Sequence, residues 1–550
     1  MHRAGIIIVF LAVTASYLPF VDKAFHLDDP VYLRVAHEVV ADPANFYGFD
    51  INWYGYFAPV YEVNKNPPLV SFYVAGMAQL VGWSERGVHL AMLLPALGLI
   101  LGTYLLARRL GAQPLVAALA TWLTPVVLVS STTVMSDVLM LALWCWAVFL
   151  WVSGLEERST PRLIAAGLLM GLCALAKYFG LALTPLLLAY GLFRERRAGA
   201  WLLVFLIPVA IVGAYQFYVR ARYGLDPLMD VAQYALTLES KSRYSYPEKL
   251  LVGLVFLGGC LLPTLLFAPL CWSRSVLAGG LGALVAGAAA VPLVGELGGF
   301  PLAAAGAIRW GVALQVVIFA LAGAQIIALA AADLSRRRDA GALLLVLWVG
   351  GVWIFATFTN WTTTARAVLP AAPAVGIVIA RRLSLTESAF SLSRKRFITI
   401  ALVVGLLISG AVAWGDYRLA GSARSAAEEL SGRYARGGSR LFFQGGWGFQ
   451  HYMEKAGATR TSWDGTQFSP GDILLVPGQG SNLFPPPQNL TRVLEEVKYT
   501  PTSWISVMSK LEGAGFYASL FGPLPFVFGP TSPERYYAFR VEKPFVLKRE

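Results

Sequence analysis

The sequence predicts a polytopic α-helical membrane protein with about 13 transmembrane helices and a small C-terminal α/β domain. Of its 550 residues, 57% are hydrophobic and only 14% are charged, whereas an ordinary soluble protein has about 25% charged residues. Long stretches, such as 178–193 and 275–295, contain no charged side chain. These observations exclude a soluble globular enzyme, a disordered protein and a coiled coil.

Apolar segments locate the spans, because a helix needs about 20 residues to cross the hydrocarbon core and fewer if flanking residues snorkel. The segments that meet this requirement are 4–21, 88–107, 115–132, 138–153, 163–176, 178–193, 200–219, 251–271, 276–294, 312–332, 341–358, 367–380 and 397–414. Residues 69–83 are also apolar and are considered separately below.

The distribution of Lys and Arg predicts the orientation. The N-terminus and alternate loops carry 17 basic against 6 acidic residues, whereas the remaining loops carry 12 against 14. Cytoplasmic loops carry the excess of Lys and Arg, so the basic set is predicted to be cytoplasmic. The net charge of +12 is therefore explained by topology, and we expect no nucleic-acid partner.

The basic loops fall on one side only if the segment Pro67 to Trp83 does not cross the membrane. We therefore predict that it is a re-entrant or interfacial helix on the outer face. The loops 22–66, 133–137, 220–250, 295–311 and 359–366 are then outside, as is the tail after Trp414. This divides the chain into a transmembrane domain, 1–414, and a soluble extracytoplasmic domain, 415–550.

The C-terminal region has the pattern of a small α/β domain. Helices are predicted at 422–436 and 449–456, and strands at 440–444, 472–476, 504–508 and 536–541. His451 is isolated, and the run Gly445–Gly448 lacks a phosphate-loop pattern. We interpret this domain as a structural or acceptor-docking cap. The four cysteines all lie in predicted spans, so we expect neither disulfides nor a cysteine metal site.

Three carboxylates near the outer face are candidates for chemistry. Asp28 and Asp29 are adjacent in the first outer loop, 22–66, and mutual repulsion can raise the pKa of one of them toward that of a general base. The alternative is a solvated acidic loop. This loop also holds eight aromatic residues between Phe46 and Tyr61, which suit interface anchoring or stacking on sugars. Asp137 begins a span, and its alternative role is a helix N-cap.

Three cations lie at the same predicted level. Lys177 is the only charge between Arg162 and Arg194 and could bind a phosphate or snorkel. Arg366 begins a helix and suits bidentate phosphate contact or interfacial anchoring; Lys65 is a further cation in the first loop. Cations and carboxylates together at one interface favour a lipid-phosphate substrate beside a base, whereas an ion relay needs ionisable groups within the spans.

Five short motifs carry a family resemblance over roughly residues 1–380. They are His26-Leu27-Asp28-Asp29-Pro30-Val31-Tyr32, Asn66-Pro67-Pro68-Leu69, Ser136-Asp137, Ala176-Lys177, and Arg366 with Leu369-Pro370. In this order and spacing they resemble the polyprenyl-phosphate-sugar-dependent glycosyltransferases of the GT-C class. That group includes the protein O-mannosyltransferases and the lipid A aminoarabinose transferase.

The resemblance implies an inverting glycosyl transfer from a polyprenyl-phosphate sugar. It implies that Asp28 is the general base, and that Asp29 and Asp137 orient the acceptor or the sugar. Lys177, Arg366 and Lys65 would hold the donor phosphate, with no cofactor and no essential divalent metal. The sequence departs from the family at Asp29, where many relatives have Glu, and at Asn66, where a basic residue is common.

The resemblance also implies partners and a location. We expect a monomer in the cytoplasmic membrane whose active site and C-terminal domain are extracytoplasmic. Its partners would be the bilayer, the lipid-linked donor and a lipid, glycan or protein acceptor. A transporter or flippase of lipid-linked saccharides and a non-catalytic scaffold remain alternatives; the lack of detectable internal repeats argues against transport.

Overall fold

The computed structural model describes residues 2–239, 244–304, 306–384, 392–435, 438–480 and 482–548. Helices dominate this described chain as far as Tyr434, and strands dominate after Leu441. The predicted fold class, a polytopic helical protein with a small C-terminal sheet domain, is confirmed.

Nine helices in the described residues are long and apolar enough to cross a membrane. They are Arg3–Phe20, Glu85–Arg109, Ser136–Glu156, Ala200–Tyr223, Arg274–Val294, Trp310–Arg337, Ala340–Thr359, Ala365–Ser384 and Leu392–Tyr434. Two bent pairs raise the number to eleven if each pair is one span; they are Pro114–Trp122 with Pro125–Ser131, and Tyr246–Cys260 with Leu262–Cys271.

The predicted spans 163–176 and 178–193 coincide with shorter helices. Thr160–Ala176 has 17 residues, and Leu183–Glu195 has 13, so each is shorter than the usual span of about 20 residues. Between them Lys177 is extended and a 3₁₀ turn, Tyr178–Ala182, follows. Each predicted span therefore coincides with helix, but the count of 13 spans is not confirmed.

The apolar segment 67–83 forms the helix Leu69–Val81, whose 13 residues extend for only about 20 Å. It follows Asn66, whose amide donates to the Tyr32 hydroxyl. It ends shortly before Glu85, whose carboxylate accepts a hydrogen bond from Tyr452 of the C-terminal domain. The helix thus begins and ends at the same end of the bundle, in agreement with the prediction that it does not cross.

The charges separate to the two ends of the helical bundle. Asp137 and Glu156 lie at opposite ends of the helix Ser136–Glu156, which is about 30 Å long. Glu156 forms ion pairs with Arg109 and Arg194, each near the C-terminus of its own helix. We name this the arginine end of the bundle, and the end that carries Asp137 the site end.

A single helix, Leu392–Tyr434, connects the bundle to the C-terminal domain. Its 43 residues extend for about 65 Å, so it crosses the bundle and continues beyond the site end. The predicted domain boundary at 414/415 lies inside this helix, and residues 422–434 of the helix predicted at 422–436 form its last part. The sequence contains no proline from 392 to 434, so nothing breaks the helical backbone at the membrane surface.

The C-terminal domain contains a five-stranded mixed sheet. The strand order is Thr491–Tyr499, Glu534–Val541, Ile473–Pro477, Leu441–Phe443 and Thr459–Arg460. The first three strands pair antiparallel, and the last three pair parallel. The predicted strands at 440–444, 472–476 and 536–541 and the helix at 449–456 (Trp447–Lys455) are found; the segment 504–508 contains only the two-residue strand Ile505–Ser506 and the start of another at Met508.

This domain packs directly on the first outer loop. Arg460 donates to the carbonyl oxygens of Asn52 and Trp53, and the Tyr452 hydroxyl accepts from the backbone N–H of Phe25. A side chain at Gly448 would meet the Phe25 carbonyl oxygen at 2.3 Å. The glycine-rich run at 445–448 therefore allows two backbones to approach closely, which explains it without a phosphate loop.

Candidate active site

Three ion pairs join four of the six predicted site residues into one group, which we name the site cluster. Arg366 Nη1 lies 2.7 Å from Asp28 Oδ2, and Arg366 Nε lies 2.8 Å from Asp137 Oδ2. Lys177 Nζ lies 2.6 Å from the other oxygen of Asp137. The four residues come from four separate parts of the chain, so the tertiary fold brings together what the motifs suggested.

Arg366 is the centre of the site cluster. It lies in the first turn of the short helix Ala365–Val368, where the Thr364 hydroxyl accepts from the N–H of Ala367. Its side chain is 16% exposed. The bonds to Asp28 and Asp137 use two of the five N–H donors of a guanidinium, so Arg366 can bind a further anion while it remains held in place.

Asp28 is the most exposed member of the site cluster, with 43% of its side chain accessible. The preceding residue, Leu27, is buried and has a φ of 50°. A non-glycine residue in this left-handed region costs about 1 kcal/mol or more. This turn of the backbone leaves Asp28 open to the outside, while the next carboxylate, Asp29, faces the protein interior.

Asp29 has a different environment, since its side chain is fully buried. Its two oxygens accept hydrogen bonds from the backbone N–H groups of His26, at 2.9 Å, and Val134, at 2.8 Å. Burial raises the pKa of Asp29 to about 7. Asp29 therefore connects the loop that carries Asp28 to the loop that precedes Asp137.

Asp137 and Lys177 form the inner part of the cluster. Asp137 lies in the first turn of its helix, whose N-cap is Met135 without a side-chain hydrogen bond, so Asp137 is not the N-cap considered from the sequence. A carboxylate in this turn is favoured by the helix dipole. Only 2% of the Asp137 side chain is exposed, against 22% for Lys177, so Lys177 is the cation that is more open to a ligand.

A second set of polar contacts lies beside the cluster. The Tyr32 hydroxyl is 3.1 Å from Ser136 Oγ, and Asn66 Nδ2 donates to the same hydroxyl at 3.3 Å. The Pro67-Pro68 motif is thereby attached next to Asp137. Lys65, one residue before Asn66, is half-buried in this region; its contact with a phosphate stays a prediction.

Sequence reasoning missed a buried group next to the site, which we name the anchor network. Lys23 pairs with Asp416, and both side chains are 0% exposed. The other oxygen of Asp416 accepts from the Tyr517 hydroxyl at 2.8 Å, and Lys23 Nζ lies 3.5 Å from Thr132 Oγ1. The available signal was that Asp416 is the first charge after the last predicted span, with Lys23 in a similar position after the first.

The described residues contain no group of three or more His, Cys, Asp or Glu side chains placed to hold a metal ion. The expectation of metal-independent chemistry stays a prediction. The four cysteines are buried and unbridged, as the sequence indicated.

Comparison with known proteins gives one family match over part of the chain and several similar folds. Residues 65–216 match the family model of dolichyl-phosphate-mannose-protein mannosyltransferases; this range contains Lys65, Asp137 and Lys177. The comparison with curated proteins found no match.

Solved structures with a similar fold include the following two. One is the ArnT protein of Cupriavidus metallidurans bound to undecaprenyl phosphate, with a TM-score of 0.53 and 14% identity over 86% of this chain and 93% of that protein. The other is the oligosaccharyltransferase of Archaeoglobus fulgidus in its apo form, with a TM-score of 0.50 and 15% identity over 84% of this chain. The chain spans 64% of the oligosaccharyltransferase.

The family model over residues 65–216 and the similar folds agree with the resemblance to the GT-C class that the motifs carry. Within that class, residues 65–216 carry the mannosyltransferase family pattern. At identities of 14 and 15%, the structures define the fold and leave the substrates to be determined.

Proposed function

We propose that the protein is an inverting glycosyltransferase that moves a sugar from a polyprenyl-phosphate donor to an envelope acceptor. The observation that carries this proposal is the site cluster: an exposed carboxylate, Asp28, held next to two cations, Arg366 and Lys177, at one end of an apolar bundle. A lipid phosphate can reach such a site from the bilayer, while the acceptor arrives from the aqueous side.

The charges suit a phosphate leaving group. As the bond between the sugar and the phosphate breaks, negative charge grows on the phosphate, and cations already in place stabilise that charge without reorganisation. Arg366 and Lys177 fill this role, and Asp137 holds both of them by its two oxygens. Two protein cations provide this stabilisation, so we propose that no divalent metal is required.

Asp28 is proposed as the general base. In the structure it is paired with Arg366; a donor phosphate bound to the unused donors of Arg366 neutralises its charge and weakens its pairing with Asp28, while Asp137 still holds the guanidinium. The freed Asp28 accepts the proton of the acceptor hydroxyl as that hydroxyl attacks the anomeric carbon. Asp29 is proposed as a positioning residue, because its oxygens are bonded to backbone N–H groups.

The proposed orientation places the site end on the extracytoplasmic face of the cytoplasmic membrane. The arginine end would be cytoplasmic by the positive-inside rule, and the C-terminal domain lies at the opposite end, against the first outer loop. An acceptor lipid, glycan or protein would then approach between this domain and Asp28.

The test uses the full chain in nanodiscs with polyprenyl-phosphate sugars and candidate acceptors, and measures release of polyprenyl phosphate. We expect Asp28→Asn to lower turnover about 10²- to 10⁴-fold, the usual contribution of a general base, with donor binding retained. The matched control is Asp22→Asn in the same loop, where Asp22 is an exposed partner of Arg86. Unchanged turnover in Asp28→Asn removes Asp28 from the base role; no turnover with any donor, together with movement of the donor across a vesicle membrane, favours a flippase.

A further inference from the structure

Four residues of the C-terminal domain pack against the site end of the bundle, beside the stretch that carries Arg366. They are Phe516 to Ser519, which we name the inserted segment. Their neighbours on both sides, including Val507 and Phe526, are buried in the same hydrophobic core as the membrane helices. The C-terminal domain thus covers the site end and also contributes residues to the hydrophobic core there.

The inserted segment is bonded to the stretch that immediately precedes Arg366. The N–H of Ala365 donates to the Phe516 carbonyl at 2.8 Å, and the N–H of Ser519 donates to the Thr363 carbonyl at 2.9 Å. The hydroxyls of Ser519 and Thr362 are 2.9 Å apart. All of these residues are buried, so the bonds are protected from competition by water.

These hydrogen bonds hold the backbone that carries Arg366, and they therefore affect the direction of its side chain. The helix Ala365–Val368 is a single turn, and the first N–H groups of a helix have no partner within it. The Thr364 hydroxyl satisfies the N–H of Ala367, and the Phe516 carbonyl satisfies that of Ala365. The acceptor for the first N–H of this turn therefore comes from another domain.

The inserted segment is itself fixed by the anchor network. The Tyr517 hydroxyl donates to Asp416, and Asp416 pairs with Lys23. Lys23 lies in the loop that leads to Asp28, and its neighbour Thr132 lies in the loop that leads to Asp137. The same network therefore adjoins all three chain segments that carry Asp28, Asp137 and Arg366.

We propose that the inserted segment is a positioning element that fixes Arg366 for contact with the donor phosphate, and that Tyr517 and Ser519 are its positioning residues. The C-terminal domain then sets the affinity for the lipid phosphate without touching it. The role of Arg366 toward phosphate rests on the proposed function, whereas the holding of the 362–366 stretch by the inserted segment does not.

The first experiment follows the local structure in the full chain in nanodiscs. The variant Tyr517→Phe/Ser519→Ala removes two side-chain hydrogen bonds, and the control Tyr499→Phe/Ser469→Ala removes two from the same domain at its surface. We expect amide hydrogen exchange in a peptide covering 362–368 to be about tenfold faster in the variant and unchanged in the control. Equal exchange in the wild type and the variant overturns the proposal.

The second experiment asks whether the effect passes through Arg366. Undecaprenyl phosphate serves as the probe, and its dissociation constant is measured for the wild type, the inserted-segment variant, Arg366→Lys and their combination. We expect the variant to weaken binding about tenfold when Arg366 is present and less than about twofold in the Arg366→Lys background, since residues that act as a unit are not additive. An equal loss in both backgrounds indicates a general structural effect and overturns the proposal.

The two proposals can fail separately. Absence of glycosyl transfer with every donor contradicts the proposed function, but hydrogen exchange and undecaprenyl phosphate binding still decide the role of the inserted segment. Conversely, additive effects in the binding cycle reject the inserted segment as a positioning element while turnover by the wild type upholds the transferase.

Discussion

The site cluster and the anchor network both place opposite charges at the same end of an apolar protein, but they differ in access. In the site cluster, Asp28 is 43% exposed, and the cations Lys177 and Arg366 are 22% and 16% exposed. In the anchor network, Lys23 and Asp416 are 0% exposed. The site cluster is therefore accessible to solvent at its edge, whereas the anchor network is not.

This difference indicates that a charged residue in an apolar protein is a candidate for function only when a ligand can reach it. A buried pair with its partners satisfied holds chain segments together, and it contributes specificity more readily than stability. An open cluster with unused donors can bind a substrate anion. Both groups consist of charged residues near the membrane interface, so the sequence does not distinguish them. The exposed fraction of their side chains does.

We expect the largest effect from replacing Arg366, the centre of the site cluster. We expect Arg366→Gln to lower turnover about 10²- to 10³-fold, the usual loss when a charge-stabilising donor is removed, because Lys177 alone then faces the phosphate. Release of polyprenyl phosphate measures the effect. The control Arg309→Gln removes an arginine that donates to the Leu511 carbonyl near the same face; a comparable loss in that variant would contradict the special role of Arg366.

A change in the anchor network should lower the stability of the protein. We expect Lys23→Met to lower the free energy of unfolding by about 3–5 kcal/mol, because it leaves Asp416 buried without its charge partner. The matched change Lys177→Met in the open network should lower turnover while thermal stability stays nearly unchanged.

Thermal unfolding in the same detergent, together with turnover, separates these two lysines. If Lys177→Met is the less stable variant and Lys23→Met keeps wild-type stability, the distinction between a closed and an open network is wrong. The double change Lys23→Met/Asp416→Leu should recover much of the lost stability, since it leaves no unpaired charge.

We expect a smaller effect on stability from low pH, which acts on histidines at the contact between the two domains. Burial lowers the pKa of His26 and of His451 to about 4; His26 lies against Tyr517, and His451 against Phe25. Both histidines stay neutral in the folded protein while the unfolded chain takes up protons below about pH 6.5. These histidines therefore contribute stability that is lost as the pH decreases from about 6.5 toward 4, whereas Asp29, with its raised pKa, contributes in the opposite direction below about pH 7.

The measurement is the melting temperature at about pH 7 and about pH 5, where we expect a decrease of several degrees. His451→Gln should reduce this decrease, whereas an equal change at His37, which is exposed to a greater extent, should reduce it less. An equal pH dependence of the melting temperature in the wild type and in His451→Gln would contradict the assignment.

Much of the site could be predicted from the sequence, since each site residue lies in a motif at the edge of an apolar segment. The motifs contain Asp28, Asp137, Lys177 and Arg366, and the structure joins these four residues. The distinction between Asp28 and Asp29 could not be predicted. It depends on the left-handed backbone at Leu27 and on an N–H from Val134, more than 100 residues away.

The C-terminal domain was predicted least well. Its strands were mostly found, but the Thr491–Tyr499 strand was missed because its charged residues, such as Glu495 and Lys498, hide the alternation of a strand whose surface is largely exposed. The inserted segment was also missed, since Phe516 and Tyr517 lie between glycines in an irregular stretch that shows no periodic pattern.

The sequence by itself determined the membrane class, the separation of charge to two ends and the residues of the site cluster. These follow from local properties: the length of an apolar segment and the cost of placing a charge in it. Only the tertiary structure decided which charges are open, which are closed, and how the C-terminal domain holds Arg366. Those depend on contacts such as that between Lys23 and Asp416, nearly 400 residues apart, and no local pattern encodes the partner of a buried charge.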